Sequence, residues 1–186
     1  MREPLPGPHR TWARLLREPV DGGFFDRRWP AHAGLREVRC VMGEKVEAAV
    51  ACFREGFTCS QAILSTWGGE FGLEREMALR VASAFGGGMA GLGEVCGAVT
   101  GGLIVIGLKH GQTEAKDRET KDRNYALVRD FTCRFRSRNG SLLCRELLGC
   151  NLTTPEEREA ARLKGLFTER CPRFVKDAAE ILEEML

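Results

Sequence analysis

The sequence predicts an all-α protein, a compact bundle of six or seven short helices with a glycine-rich helix at its centre. Three observations lead there. From Glu44 onward apolar residues recur at helical spacing, no segment alternates in the manner of a strand, and capping signatures stand at the head of periodic stretches. At 186 residues the chain has room for one domain with a proper core and some excess. Its 43% hydrophobic and 29% charged residues are those of an ordinary soluble protein. A net charge of +2, without a basic stripe interleaved with aromatics, leaves no nucleic-acid footprint. The longest apolar run, Leu103 to Leu108, is too short for a bilayer, and no N-terminal stretch has the apolar core of a signal peptide. Neither a nucleic-acid nor a membrane partner is expected, and the expected location is the cytoplasm.

The charge balance changes near residue 41. Residues 1–41 carry five of the seven prolines, eight arginines, five acids and no lysine, without a sustained helical or strand period. They are expected to be a disordered arm, or upstream sequence from a start assigned too early, because Met42-Gly43-Glu44-Lys45 reads as a natural beginning. Cys40, His9 and His32 then carry no function. Residues 42–186 form a single helical domain.

Val46, Ala49, Val50, Phe53 and Phe57 give the first helix its apolar line, which Gly56 breaks. Thr58-Cys59-Ser60-Gln61 forms a capping box, so Cys59 is the first residue of a helix that buries Ala62, Ile63 and Trp67. Glu74 to Phe85 is the next, with Met77, Val81, Ala84 and Phe85 expected inward. Phe85 to Gly111 then holds the densest cluster of the chain's 22 glycines, around Cys96. Glycine costs roughly 0.5–1 kcal/mol against alanine inside a helix, so the cluster needs a reason. Gly86, Gly87 and Gly88 in the turns let backbone N–H groups approach a ligand, and Gly97 permits close helix packing; these are the candidate cofactor-contacting positions. Cys96 falls near a helix N-terminus, where free N–H groups favour a thiolate. The plainer alternative is a buried helix in which the cysteine is only a small apolar side chain.

Glu114 to Arg138 is a charged helix with Leu127, Val128, Phe131 and Phe135 buried, closed by Asn139-Gly140. Ser141 is expected to cap a short helix carrying Cys144, Leu147 and Leu148. Thr154-Pro155-Glu156-Glu157 opens another, and Cys171-Pro172 the last, whose apolar line is Phe174, Val175, Ala178, Leu182 and Met185.

Eight cysteines are many for a protein of a reducing compartment, and point to metal or redox chemistry more than to disulfides. Cys59, Cys96, Cys144 and Cys171 each fall at or within the first turn of an expected helix. Four helix starts aimed at one place would surround the thiols with N–H donors and positive dipole ends, favouring thiolate ligation of a metal. The chain has no C-x-x-C, so neither a zinc knuckle nor a thioredoxin-type pair is present, and no C-x-x-C-H for covalent haem. Cys52 reads as core, Cys133 as exposed or interfacial, and Cys150 as an extra or substitute ligand. His110 near a helix C-terminus reads as a dipole partner in preference to a ligand.

Four pieces recur in order: Gly56-Phe57-Thr58-Cys59-Ser60-Gln61-Ala62; Phe85-Gly86-Gly87-Gly88-Met89 running into Cys96-Gly97-Ala98-Val99-Thr100-Gly101; Cys144-Arg145-Glu146-Leu147-Leu148-Gly149; and Gly165-Leu166-Phe167 to Cys171-Pro172. On these the chain from Met42 to Leu186 resembles the C-GCAxxG-C-C family of redox-active proteins. The resemblance maps the family's invariant cysteines onto Cys59, Cys96, Cys144 and Cys171. Relatives include the split-Soret cytochromes, which carry haem and an iron–sulfur centre in a dimer. By that resemblance an iron–sulfur centre and a homodimer are implied here, whereas covalent haem is not. The family name promises no particular reaction or substrate.

Three functions follow as expectations. The first is an electron-transfer or redox-sensing module with an iron–sulfur cluster on these cysteines and an unidentified redox partner. The second is a metal-free thiol–disulfide oxidoreductase acting through Cys59 or Cys96. The third is a structural zinc site, closed and tetrahedral.

Overall fold

A computed structural model of the chain describes residues 43–186. The proposed arm, with Cys40, His9 and His32, lies outside the described residues. Among the described residues there are eight α-helices: α1 (Glu44–Arg54), α2 (Cys59–Trp67), α3 (Arg75–Ala82), α4 (Gly97–His110), α5 (Arg118–Asn139), α6 (Cys144–Leu148), α7 (Pro155–Leu163) and α8 (Leu166–Met185). The all-α fold is as expected, but with eight helices where six or seven were expected. Gly149 and Gly165, both at positive φ, divide the chain after α5 into three helices. No described helix is long and apolar enough to cross a membrane. The described β pairing is a single antiparallel bridge between Val95 and Leu143.

Helix α4 occupies the centre and packs on α2, α5 and α8. Its apolar and small residues are buried around most of its circumference, from Gly97 through Ile106. Gly97 and Gly101 face α2. A Cβ on Gly97 would stand 3.0 Å from the Ser60 nitrogen and 3.2 Å from Cys59 Cβ, and one on Gly101 would stand 3.0 Å from Ile63 Cβ. The absent side chains therefore set the distance between the two helices. Trp67, Ile63, Ile106, Phe131, Phe135 and Leu182 fill the core around this contact, each large apolar side chain contributing about 1.5–3 kcal/mol on burial.

Helix α3 turns out differently from its apolar pattern. Ala78 and Ala82 are fully buried, while Met77 and Val81 are 51% and 44% exposed. Ser60 Oγ donates to the Ala82 carbonyl (2.8 Å) and Gln61 Nε2 to that of Leu79 (2.9 Å). These bonds draw α3 so close to α2 that only alanine fits between them, and the larger side chains rotate outward. Phe85 is half-buried and Ala84 exposed.

Two helix starts also differ. The N-cap of α6 is Leu143, with no side-chain cap; Ser141 Oγ instead accepts from the Leu143 N–H at 3.0 Å. Helix α8 begins at Leu166 behind a left-handed Gly165, so Cys171 lies in its second turn and Pro172 inside it. Proline there leaves the Thr168 carbonyl without its intrahelical donor. Burial of the face holding Phe174, Val175, Ala178 and Leu182 carries the helix through that lost bond. On the outer surface Arg134 and Arg138 of α5 pair with Glu180 and Glu184 of α8, contacts worth about 0–1 kcal/mol each.

Two glycines give a test of this framework. Gly88 has φ +68°, and a Cβ there would meet Cys144 Cβ and the Glu94 backbone at 2.7 Å. Gly88→Val and Gly97→Leu are each expected to cost roughly 1–3 kcal/mol or more, from strain and overpacking respectively. Thermal unfolding of both variants checks this; unchanged midpoints would show that the close contacts do not constrain the fold.

Candidate functional site

The helices around α4 bring four thiols to one place. Thr58 caps α2 by a reciprocal pair, its Oγ1 accepting from the Gln61 N–H (3.4 Å) while Gln61 Oε1 accepts from the Thr58 N–H (3.0 Å). That fixes Cys59 at the first helical position. Cys96 is the N-cap of α4. Its N–H donates to the Leu142 carbonyl at 2.8 Å, the Cys144 N–H to Glu94 at 2.7 Å, and the Arg145 N–H to Gly93 at 3.0 Å. With the Val95–Leu143 bridge, these bonds hold Cys96 and Cys144 side by side on crossing strands of chain. Glu94 and Arg145 reinforce the crossing with an ion pair at 2.6 Å.

The crossing is reached through an unusual turn. Gly87, Gly88, Met89, Ala90 and Gly91 all have positive φ, so the chain makes a short left-handed coil. Met89 (φ 61°) and Ala90 (φ 52°) hold this conformation, at roughly 1–2 kcal/mol each for a residue with a Cβ. Hydrogen bonds from Gly93 to the Gly87 carbonyl and from Glu94 to that of Gly88 close the coil. Its local strain is stabilised by the packing that delivers Cys96 to the head of α4.

Cys59, Cys96, Cys144 and Cys171 line one cavity of about 400 Å³. All four are buried, at 8%, 2%, 5% and 4% exposure. Cys59 interacts with both Cys171 and Cys96, and Cys144 lies near Cys96 and Cys171. All seven cysteines among the described residues are free thiols. Among the described residues no three or more His, Cys, Asp or Glu side chains are grouped to hold a metal ion.

The four sulfurs do not share one electrostatic environment. The hydrogen bond from Cys59, helped by the N–H groups of Ala98 and Val99, lowers the Cys96 pKa against the opposing effect of burial. Contacts with Cys171 and Cys96, together with burial, hold Cys59 well above the ordinary thiol range. Burial, then the nearby charges of Cys96, Cys171 and Cys150, raise Cys144. Helix starts favouring a thiolate were expected at all four cysteines; of these, Cys96 at the free N-terminus of α4 is the one whose surroundings favour it. The leading N–H groups of α6 are taken up by Glu94 and Gly93, and Cys171 sits a turn inside α8, so neither thiol meets a free helix start.

Gly87 and Gly97 line the cavity, whereas Gly86 and Gly88 stand behind it with their α-carbons against Thr58 and Cys144. Cys52 lies in the core with its Sγ 3.6 Å from Ser65 Oγ, Cys133 is exposed, and Cys150 is half-buried outside the lining. His110 ends α4 away from the thiols, and burial followed by Lys109 and Arg123 lowers its pKa, which weakens it as a charged dipole partner. Sequence reasoning missed the cavity's other wall: Phe53, Phe57, Phe167 and Phe174, with Arg54 the one charged residue among those lining it. Phe53, Phe57 and Phe174 had read as core, and their signal was nearness to Cys59 and Cys171 along the chain.

Residues 57–185 match the family model C_GCAxxG_C_C, described as "Putative redox-active protein". No curated protein and no solved structure matches the chain.

The asymmetry among the thiols can be titrated. In reduced, metal-free protein Cys96 is expected to ionise first as the pH rises, below the ordinary thiol range, and Cys59→Ala should move that step upward by removing the donor. Ultraviolet thiolate absorbance follows it. Persistence of the first step in Cys96→Ser would contradict the assignment.

Proposed function

This chain belongs to the C_GCAxxG_C_C redox-active family, and we propose that it is an electron-transfer or redox-sensing module whose centre is an iron–sulfur cluster held by Cys59, Cys96, Cys144 and Cys171. The observation that carries this reading is the meeting of these four thiols in one buried cavity. The donor set fits the group. Thiolates are the usual ligands of iron–sulfur clusters, and no imidazole or carboxylate competes among the residues lining the cavity. The N–H groups of Ala98 and Val99 at Cys96 are the kind of contact that tunes a cluster's potential. When bound, such a cluster supplies one-electron transfer.

A cluster spreads its thiolates over several irons, whereas structural zinc draws four donors around a single ion. Ligation needs the thiols to lose the protons they now share, so assembly would be proton-coupled and disfavoured at low pH. Free thiols throughout the described residues agree with a reducing compartment such as the cytoplasm.

The contact between Cys59 and Cys96 supports a second reading. A thiolate beside a thiol is the reduced half of a dithiol–disulfide couple. Its oxidation would pass two electrons to an acceptor and release the one proton left on the thiol as the sulfur–sulfur bond forms.

Protein purified without oxygen distinguishes the two. The cluster reading predicts charge-transfer bands in the visible spectrum, with iron and acid-labile sulfide in comparable amounts. Serine at any of Cys59, Cys96, Cys144 or Cys171 should bleach or destabilise that centre, while serine at Cys52, Cys133 or Cys150 leaves it in place. A colourless protein in which only Cys59 and Cys96 matter would replace the cluster with the dithiol.

A further inference from the structure

The cavity that holds the thiols also has a mouth, and its chemistry differs from its floor. The sulfurs lie at 8% exposure or less, whereas Phe53, Phe57 and Phe167 are half-buried, and Arg54 and Thr168 are exposed. Three half-buried aromatic rings at one rim offer a surface on which a flat molecule could stack. Arg54 makes no ion pair among the described residues, although it also borders the groove between α1 and α8 where Glu47, Glu180 and Glu183 stand. A second cation adds to it: the Arg75 guanidinium lies 5.4 Å from the centre of the Phe57 ring. No carboxylate is among the residues lining the cavity. The rim is thus aromatic and positive, above a floor of thiols.

We propose that this mouth binds a small, flat, conjugated organic anion, and that Arg54 selects for its negative charge. The purpose rests on the redox reading of the cysteines: a conjugated molecule seated against the rings would be the carrier that exchanges electrons with the centre beneath. The depth of the thiols supports a small molecule over a protein partner. Thiols this deeply buried are out of reach of a protein surface, while a cavity of about 400 Å³ lies within the range of small-molecule sites. The rings supply stacking surface that accepts any flat π-system. The arginine supplies direction, because a charge-assisted bond is gained only by an anion.

Naphthalenesulfonate and naphthylmethylammonium separate these contributions, since they share the ring system and differ in the sign of their charge. Titration calorimetry on the full chain, purified without oxygen, is expected to show one sulfonate bound per chain, on the order of tenfold more tightly than the ammonium ion. Arg54→Gln, a change at an exposed position, should remove most of that preference, weakening the sulfonate while the ammonium ion binds no more weakly than before. Phe57→Ala should weaken both probes. Equal binding of the two ions, no saturable binding of the sulfonate, or a preference that survives Arg54→Gln would each overturn the proposal. The iron and sulfide content of the same samples reports separately on the cluster. Protein that keeps its iron but binds no sulfonate loses this inference and retains the cysteine centre. Iron-free protein with Arg54-dependent sulfonate binding supports the inference without the cluster.

Discussion

The contact between the glycine face of α4 and α2 is the constraint on which the site depends. Gly97 stands where any Cβ would press on the Ser60 nitrogen, the Phe85 carbonyl and Cys59 Cβ. Because nothing separates the two helices at that point, the N-cap of one and the first residue of the other bring their thiols close enough to shift each other's ionisation. A wider spacing would leave Cys59 and Cys96 in separate environments. The other two thiols are then brought in from outside this pair. The left-handed coil and the Val95–Leu143 bridge carry Cys144 to Cys96, and α8 lays Cys171 against Cys59. The dense glycine content of residues 85–111 is thus a packing requirement first and a ligand surface only at Gly87 and Gly97.

The burial that assembles the thiols also makes them unequal. In an apolar cavity a thiolate is costly, and only N–H groups or a donating neighbour offset that cost. Cys96 has both, whereas Cys144 faces burial and the charges of its neighbours. Gathering four negative charges here without a cation would be strongly unfavourable. An iron–sulfur centre held by the four thiols would relieve that conflict by supplying the positive charge the cavity lacks, and Arg54 at the rim is too exposed to do so. A dithiol that keeps one proton on Cys59 relieves it differently. The two functional readings are two solutions of one electrostatic problem.

Much of this was legible in the residues. Capping boxes at Thr58 and Thr154 and the apolar lines of α1, α2 and α5 gave the helices, because these signals are local and each is read within one turn. Position along the chain also singled out the four thiols that meet. What was hidden depends on distance between helices. Ala78 and Ala82 displace Met77 and Val81 from the interior of α3 because Ser60 and Gln61 pull the helix close, a contact no periodicity encodes. Pro172 looked like a helix start, since the face that carries α8 across the missing bond becomes visible only when packed. The aromatic wall was concealed for the same reason: a phenylalanine at core spacing and one lining a cavity mouth have the same local pattern.

Whether Cys59, Cys96, Cys144 and Cys171 share one iron–sulfur centre is decided by X-ray absorption at the iron edge on protein purified without oxygen. A shared centre would give iron surrounded by sulfur alone, with a second scattering shell from neighbouring iron. Iron coordinated by nitrogen or oxygen, or protein that carries no iron when prepared this way, would contradict it.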